Sequence, residues 1–171
     1  MVKTRAGIDP GKEGFIVWFE DGIFNKAEIP LIKKEVDTLA LDKIFKTLKK
    51  KSDDLFVVME ATNAFFGASS TTMYKFGHTI GCIEQAIVSN QIPFTKIQPK
   101  KWQDEMFQGV PKQYVKKKGN KKRTHDTKAT ALIAAKRLFP ETDLRKNTRC
   151  RIPHDGLVDS LLIAEFCRRN Y

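Results

Sequence analysis

The sequence predicts an α/β fold: a mixed five-stranded sheet, three antiparallel strands followed by parallel ones, flanked by helices. Two patterns lead to it. Three short apolar or β-branched runs, residues 4–9, 14–20 and 23–29, are separated by Pro10-Gly11 and Asp21-Gly22, dipeptides that close tight turns. After them, segments of helical period alternate with compact apolar runs, the order in which crossover helices join parallel strands. With 171 residues and 41% hydrophobic side chains, the chain can bury one sizeable core and is short for two. One domain over residues 1–171 is expected.

The first three runs read as an antiparallel meander. From Val36 to Lys50, Leu39, Leu41, Ile44, Phe45 and Leu48 recur at helical spacing among lysines, and Leu55 to Glu60 then forms a buried strand. Met73, Phe76, Ile80, Ile83 and Ile87 give Ser69 to Asn90 the period of a long helix, with Ser and Thr at its start where caps belong. Phe94 to Ile97 is a short strand leading through Pro99 into a helix near Trp102. Thr124 to Leu138 and His154 to Arg169 supply the last two helices, the first opening on a Thr-His-Asp-Thr cap.

Charge narrows the function classes. Lys and Arg number 31 against 20 Asp and Glu, a net charge of +11, which calls for an anionic partner, most commonly nucleic acid. The charge is concentrated: Lys96 to Arg123 holds ten basic residues against Asp104 and Glu105 alone. Gly109, Pro111 and Gly119 make residues 108–123 of that segment a loop, and Lys112, Lys116, Lys117, Lys118, Lys121, Lys122 and Arg123 are its candidate phosphate contacts. A merely solvated loop is the plainer reading. Cys82, Cys150 and Cys167 are odd in number and widely spaced, so no disulfide framework or zinc knuckle is expected. No apolar run approaches the roughly 18 residues of a membrane span, and the N-terminus lacks the pattern of a signal peptide. A cytoplasmic setting, in a bacterial or virus-infected cell, is expected.

Four acids carry the chemistry. Asp9 and Glu60 each end an apolar strand, and if those strands are parallel neighbours the two carboxylates lie side by side, which is unfavourable unless a proton or a cation intervenes. Asp155 and Asp159, four residues apart, share one face of the last helix with Leu162 and Phe166, the face expected to pack on the sheet. Buried carboxylates need a compensating partner. Oxygen ligands without His or Cys select Mg²⁺, with Mn²⁺ as a substitute, and four such charges balance two divalent ions. Two ions about 4 Å apart serve in-line phosphodiester hydrolysis. Plainer roles exist: Asp9 before Pro10-Gly11 can start a turn, and Asp155 can be an N-cap or first-turn acid.

Gly7-Ile8-Asp9-Pro10-Gly11-Lys12-Glu13-Gly14 resembles the first motif of RuvC-type Holliday junction resolvases, members of the RNase H-like nucleases. Val57-Val58-Met59-Glu60-Ala61 is similar to their second acidic strand, and His154-Asp155-Gly156-Leu157-Val158-Asp159 to their C-terminal acidic helix. Lys75-Phe76-Gly77, Gly81 and the stretch from Pro93 to Trp102 resemble the middle segment of phage-like members, so the likeness runs along essentially the whole chain. It implies an RNase H-like fold and a Mg²⁺-dependent endonuclease that acts as a homodimer on four-way DNA junctions. It also implies Asp9, Glu60, Asp155 and Asp159 as metal ligands and Lys128 as a lysine near the scissile phosphate. Many relatives separate the last two acids by three residues where this chain has four, which leaves His154 as an alternative to Asp155.

Some residues keep two readings. Lys128 also suits an exposed helix surface. Phe65 and Phe66, in the loop after Glu60, could wedge into a junction by stacking on bases or pin the next helix to the core. Gly77 and Gly81 form a G-x-x-x-G face that suits either a dimer contact or close packing on the chain's own sheet. Two other functions use the same features: an RNase H-type nuclease acting on RNA–DNA hybrids, and a non-catalytic protein that binds branched DNA. The second has no need of four aligned acids.

Overall fold

The computed structural model describes residues 2–11, 13–62, 67–116 and 123–171. The first three strands, β1 (Lys3–Ile8), β2 (Phe15–Glu20) and β3 (Ile23–Glu28), form the expected meander. The β2–β3 turn is made by Asp21 and Gly22, whose φ of 49° and 83° match the two left-handed positions of a tight hairpin. A small hairpin, β4 (Leu31–Ile32) and β5 (Glu35–Val36), then precedes α1 (Thr38–Lys51). Next come β6 (Asp54–Glu60), α2 (Ser70–Ser89), β7 (Phe94–Ile97) and α3 (Pro99–Met106). A second hairpin, β8 (Tyr114–Val115) and β9 (Thr124–His125), leads into α4 (Thr127–Leu138) and the closing α5 (Asp155–Asn170).

The sheet order is β3-β2-β1-β6-β7, antiparallel among the first three strands and parallel from β1 to β6 and β6 to β7. Alternation along each strand divides the core in two. Ile8, Ile16, Val57 and Met59 face α1 and α2, while Phe15, Val17, Phe19 and Val58 face α3, α4 and α5. At Gly7 the strand meets α5 so closely that a Cβ would lie 2.1 Å from the Ala164 nitrogen, so any larger residue must push the helix off the sheet. Among the described residues no helix is long and apolar enough to cross a membrane.

Three expectations need correction. Thr124 and His125 are strand, not helix: α4 begins three residues later, capped by Asp126, whose carboxylate accepts from the Ala129 nitrogen at 3.0 Å. The basic segment 108–123 is therefore tied at its base by the β8–β9 ladder, and is not a loop throughout. Close packing of Gly77 and Gly81 on the chain's own sheet is also overturned, since a Cβ at either would meet nothing within 4 Å.

Candidate active site

The sheet delivers two carboxylates to one place. The parallel register pairs Ile8 with Met59, so Asp9 and Glu60 are the next residues of neighbouring strands. Each lies two residues beyond a position that faces α5, Gly7 and Val58, so alternation sends both side chains to that face. A hydroxyl fixes the helix above them. Ser160 Oγ accepts from the Asp9 nitrogen at 3.1 Å and stands 2.8 Å from the Phe15 carbonyl and 2.7 Å from that of Gly156. One residue before Ser160, Asp159 is thereby set against the strand ends. Gly156 brings the first turn of α5 onto the β1–β2 connection, where a Cβ would be 2.8 Å from the Glu13 carbonyl and 3.2 Å from Asp9 Oδ2.

The result is an open cleft of about 580 Å³ whose walls include Asp9, Glu60, Asp155, Asp159 and Lys128. The four acids expected to act together thus line one space. Asp9 Oδ1 accepts from the Gly11 nitrogen at 3.1 Å, and Glu60 Oε2 from the indole Nε1 of Trp102 at 2.7 Å. Asp155 is exposed and forms an ion pair with Lys128 at 2.5 Å. Asp159 makes no hydrogen bond or ion pair among the described residues and sits beside three other acids.

Electrostatics follow from that crowding. Burial raises the Asp9 pKa above the ordinary carboxylate range, opposed by the Gly11 amide and by the charges of His154 and Lys128. Burial likewise pushes Glu60 up to about 7, with the Trp102 hydrogen bond working against it and the Asp9 charge adding to it. Asp159 is pushed up to about 8, first by burial and then by repulsion from Asp9, Glu60 and Asp155. Lys128 is raised by its bond to Asp155. A cluster of anions that repel one another is a site in want of positive charge.

The donor set suits a hard divalent cation, because the cleft offers carboxylate oxygens and Asp159 is uncommitted. Among the described residues, however, no three acidic, histidine or cysteine side chains are gathered closely enough to hold an ion as they stand. Three of the four carboxylates already have partners, Asp155 on Lys128, Glu60 on Trp102 and Asp9 on the Gly11 nitrogen. Asp155 departs from expectation in another respect. It is not on a buried face, because α5 is enclosed on all sides from Gly156 to Cys167, with only Asp159 partly open, whereas Asp155 precedes that buried stretch. Nor is it the N-cap, a position held by His154 without a side-chain cap bond.

Of the expected phosphate contacts, Lys112 just before β8, Lys116 just after it and Arg123 just before β9 are exposed. Lys117, Lys118, Lys121, Lys122, Phe65 and Phe66 lie outside the described residues. His154, the alternative to Asp155, lines the cleft with its Nε2 3.7 Å from Glu13. Sequence reasoning missed the coil before α5, which brings Lys146, Cys150 and Ile152 to the cleft, and the role of Trp102. A lone Trp after a Pro-Lys-Lys start gives no sign of its partner 42 residues earlier. The coil's Arg149 and Arg151 were legible as charges without a place.

No protein-family model matches the sequence, and no curated protein matches it. Among solved structures, RuvC of Thermus thermophilus in complex with a Holliday junction substrate superposes with a TM-score of 0.60 at 15% identity, covering 95% of this chain and 90% of that one. The chain has the RuvC fold. A second Thermus thermophilus RuvC structure agrees, with a TM-score of 0.56 at 14% identity, covering 94% of this chain and 90% of RuvC. The expected RNase H-like architecture is therefore the one observed, end to end with RuvC.

Proposed function

We propose that this protein is a structure-selective DNA endonuclease of one domain that resolves four-way junctions by divalent-cation-dependent phosphodiester hydrolysis. The observation that carries the reading is the convergence of Asp9, Glu60, Asp155 and Asp159 with Lys128 on one cleft, from four separate elements. The RuvC fold supports it, and one of the two RuvC structures is a complex with a Holliday junction substrate. In this reading Asp9, Glu60, Asp155 and Asp159 hold Mg²⁺, for which Mn²⁺ substitutes. When bound, two divalent ions neutralise charge on the phosphate undergoing attack and activate the attacking water. Lys128 is the cation that would meet the scissile phosphate, and here it is paired with Asp155, one of the carboxylates that would hold the ions.

Lys112, Lys116, Lys117, Lys118, Lys121, Lys122 and Arg123 take backbone phosphates, while Phe65 and Phe66 stack on bases at the branch point. Two copies act together, joined across the open Gly77 and Gly81 face of α2, where Tyr74 is 75% exposed. The protein works in the cytoplasm. The test is cleavage of a labelled synthetic four-way junction beside duplex, flap and RNA–DNA hybrid substrates, each in Mg²⁺, Ca²⁺ and EDTA. Junction cleavage in Mg²⁺ is expected. Cutting of the hybrid alone moves the function to an RNase H-type nuclease, and tight binding without any cutting leaves a branched-DNA-binding protein.

A further inference from the structure

The coil of residues 139–154, between α4 and α5, is fastened at several points. Arg145 bridges Pro153, the His154 nitrogen donates to the Leu144 carbonyl at 2.8 Å, and Leu144 is buried in the core. Lys26 of β3 donates to the Arg145 carbonyl at 2.8 Å. Asn147 turns the chain, its carboxamide oxygen accepting from the Arg149 nitrogen at 3.0 Å and its carbonyl from that of Cys150 at 3.1 Å. A coil held in this way presents its next residues at a fixed place. Cys150 and Ile152 form part of the wall of the cleft that contains the four carboxylates.

From Arg145 to Arg151 the coil carries four cations and no acid, and the structure divides them into two pairs. Arg145 is committed to Asp143 at 2.9 Å, and Lys146 to Glu28 at 2.9 Å. Arg149 and Arg151 are exposed, and their guanidinium groups have no ion pair or hydrogen bond among the described residues. They alternate in sequence with Cys150 and Ile152, both at the cleft wall. Ile152 beside them is 75% exposed, a large apolar side chain left in water at the mouth of a charged cleft. Unpaired guanidiniums suit phosphate oxygens, and an apolar neighbour suits the sugar between two phosphates.

We propose that residues 149–152 form a second DNA-contacting rim of the cleft, in which Arg149 and Arg151 each neutralise a backbone phosphate and Ile152 packs on a deoxyribose between them. The inference rests on the nucleic-acid reading of the cleft and adds to it a contact surface distinct from residues 112–123. The rim explains how an anionic backbone approaches a cleft whose floor is itself anionic.

Each phosphate neutralised adds about 0.9 to the slope of log affinity against log salt for duplex DNA. Binding of a fluorescein-labelled four-way junction in Ca²⁺ is therefore measured from low to high NaCl for wild type, Arg149→Gln/Arg151→Gln, Ile152→Ala and a control, Lys46→Gln, on α1 across the sheet. The double variant is expected to lose about 1.8 from the slope. Ile152→Ala is expected to bind several-fold more weakly at an unchanged slope, and Lys46→Gln to match wild type. All four residues are exposed, so melting temperatures within about 2 °C of wild type are expected and exclude misfolding as the cause. If wild type binds and cuts the junction while the double variant keeps the full slope, the rim is refuted and the nuclease reading stands. If wild type binds no junction, the nuclease reading fails and the rim with it.

Discussion

Replacing Asp159 by Asn should make the metal-free protein more stable and, on the proposed nuclease reading, abolish cleavage, a trade-off that follows from the crowding of acids in the cleft. The folded protein holds the Asp159 pKa at about 8, against 3.8 for the ordinary carboxyl. A raised acid pKa means that the fold favours the protonated form, so the contribution is intact below about pH 4 and is lost as pH climbs toward 8. At pH 7 the unfolded chain has released a proton that the fold retains. Roughly three pH units at 1.36 kcal/mol each put the cost near 4 kcal/mol. A proton taken up by Glu60 relieves part of the same repulsion, so about 2 to 4 kcal/mol is expected. Asn keeps the shape and removes the charge.

For a chain of this length that corresponds to a rise in Tm of about 5 to 15 °C at pH 7 in EDTA, shrinking to a few degrees at pH 4. Calorimetric or circular-dichroism melts of both proteins at the two pH values measure it. Millimolar Mg²⁺ should raise the Tm of wild type and leave that of Asp159→Asn nearly unchanged. A stabilisation of equal size at both pH values, or a loss of stability at pH 7, would refute the electrostatic reasoning.

Three other perturbations follow. Trp102→Phe removes the only donor to Glu60 among the described residues, which should raise the Glu60 pKa further, move the pH profile of cleavage upward and cost about 1.5 to 3 kcal/mol from the lost bond to a carboxylate; cleavage rates from pH 6 to 9 and urea melts check both. If Lys128 meets the reacting phosphate as proposed, Lys128→Met should leave junction binding within about threefold while cutting slows by a hundredfold or so. Equal losses in binding and cutting would make Lys128 an ordinary surface contact. Gly77→Leu with Gly81→Leu fills open space, so the chain should fold as before; if two copies join across this face as proposed, sedimentation should then show monomers, and cleavage should yield single nicks instead of paired ones.

Much of the fold was legible because strands and helices differ in period, and because the turns carried strong signals. Asp21-Gly22 needs two left-handed residues and has the side chains for it. The β4–β5 hairpin does not: its turn places Lys33 and Lys34 at φ of 49° and 71°, and two lysines announce no turn. Two-residue strands such as Thr124–His125 are too short to show alternation, and here the Asp126 cap after them blends into a helical pattern.

At the site, strand ends gave Asp9 and Glu60, because an acid after an apolar run has few places to go. Helical spacing grouped Asp155 with Asp159 but could not tell the exposed first turn from the enclosed middle of α5. The helix wheel assumes one buried face, and α5 is buried on nearly all of them. What stayed hidden depends on tertiary contact alone: the Trp102 indole on Glu60, the Lys128 pair with Asp155, and the coil of residues 139–154 at the cleft wall.

The most direct test of the nuclease reading is to map the products of a four-way junction, each strand labelled in turn, after incubation with wild type or Asp159→Asn in Mg²⁺ and in EDTA. Paired nicks at symmetric positions on two opposing strands, absent in EDTA and absent with Asp159→Asn, are expected. Junction binding with no cleavage in Mg²⁺, or undiminished cleavage by Asp159→Asn, would contradict it.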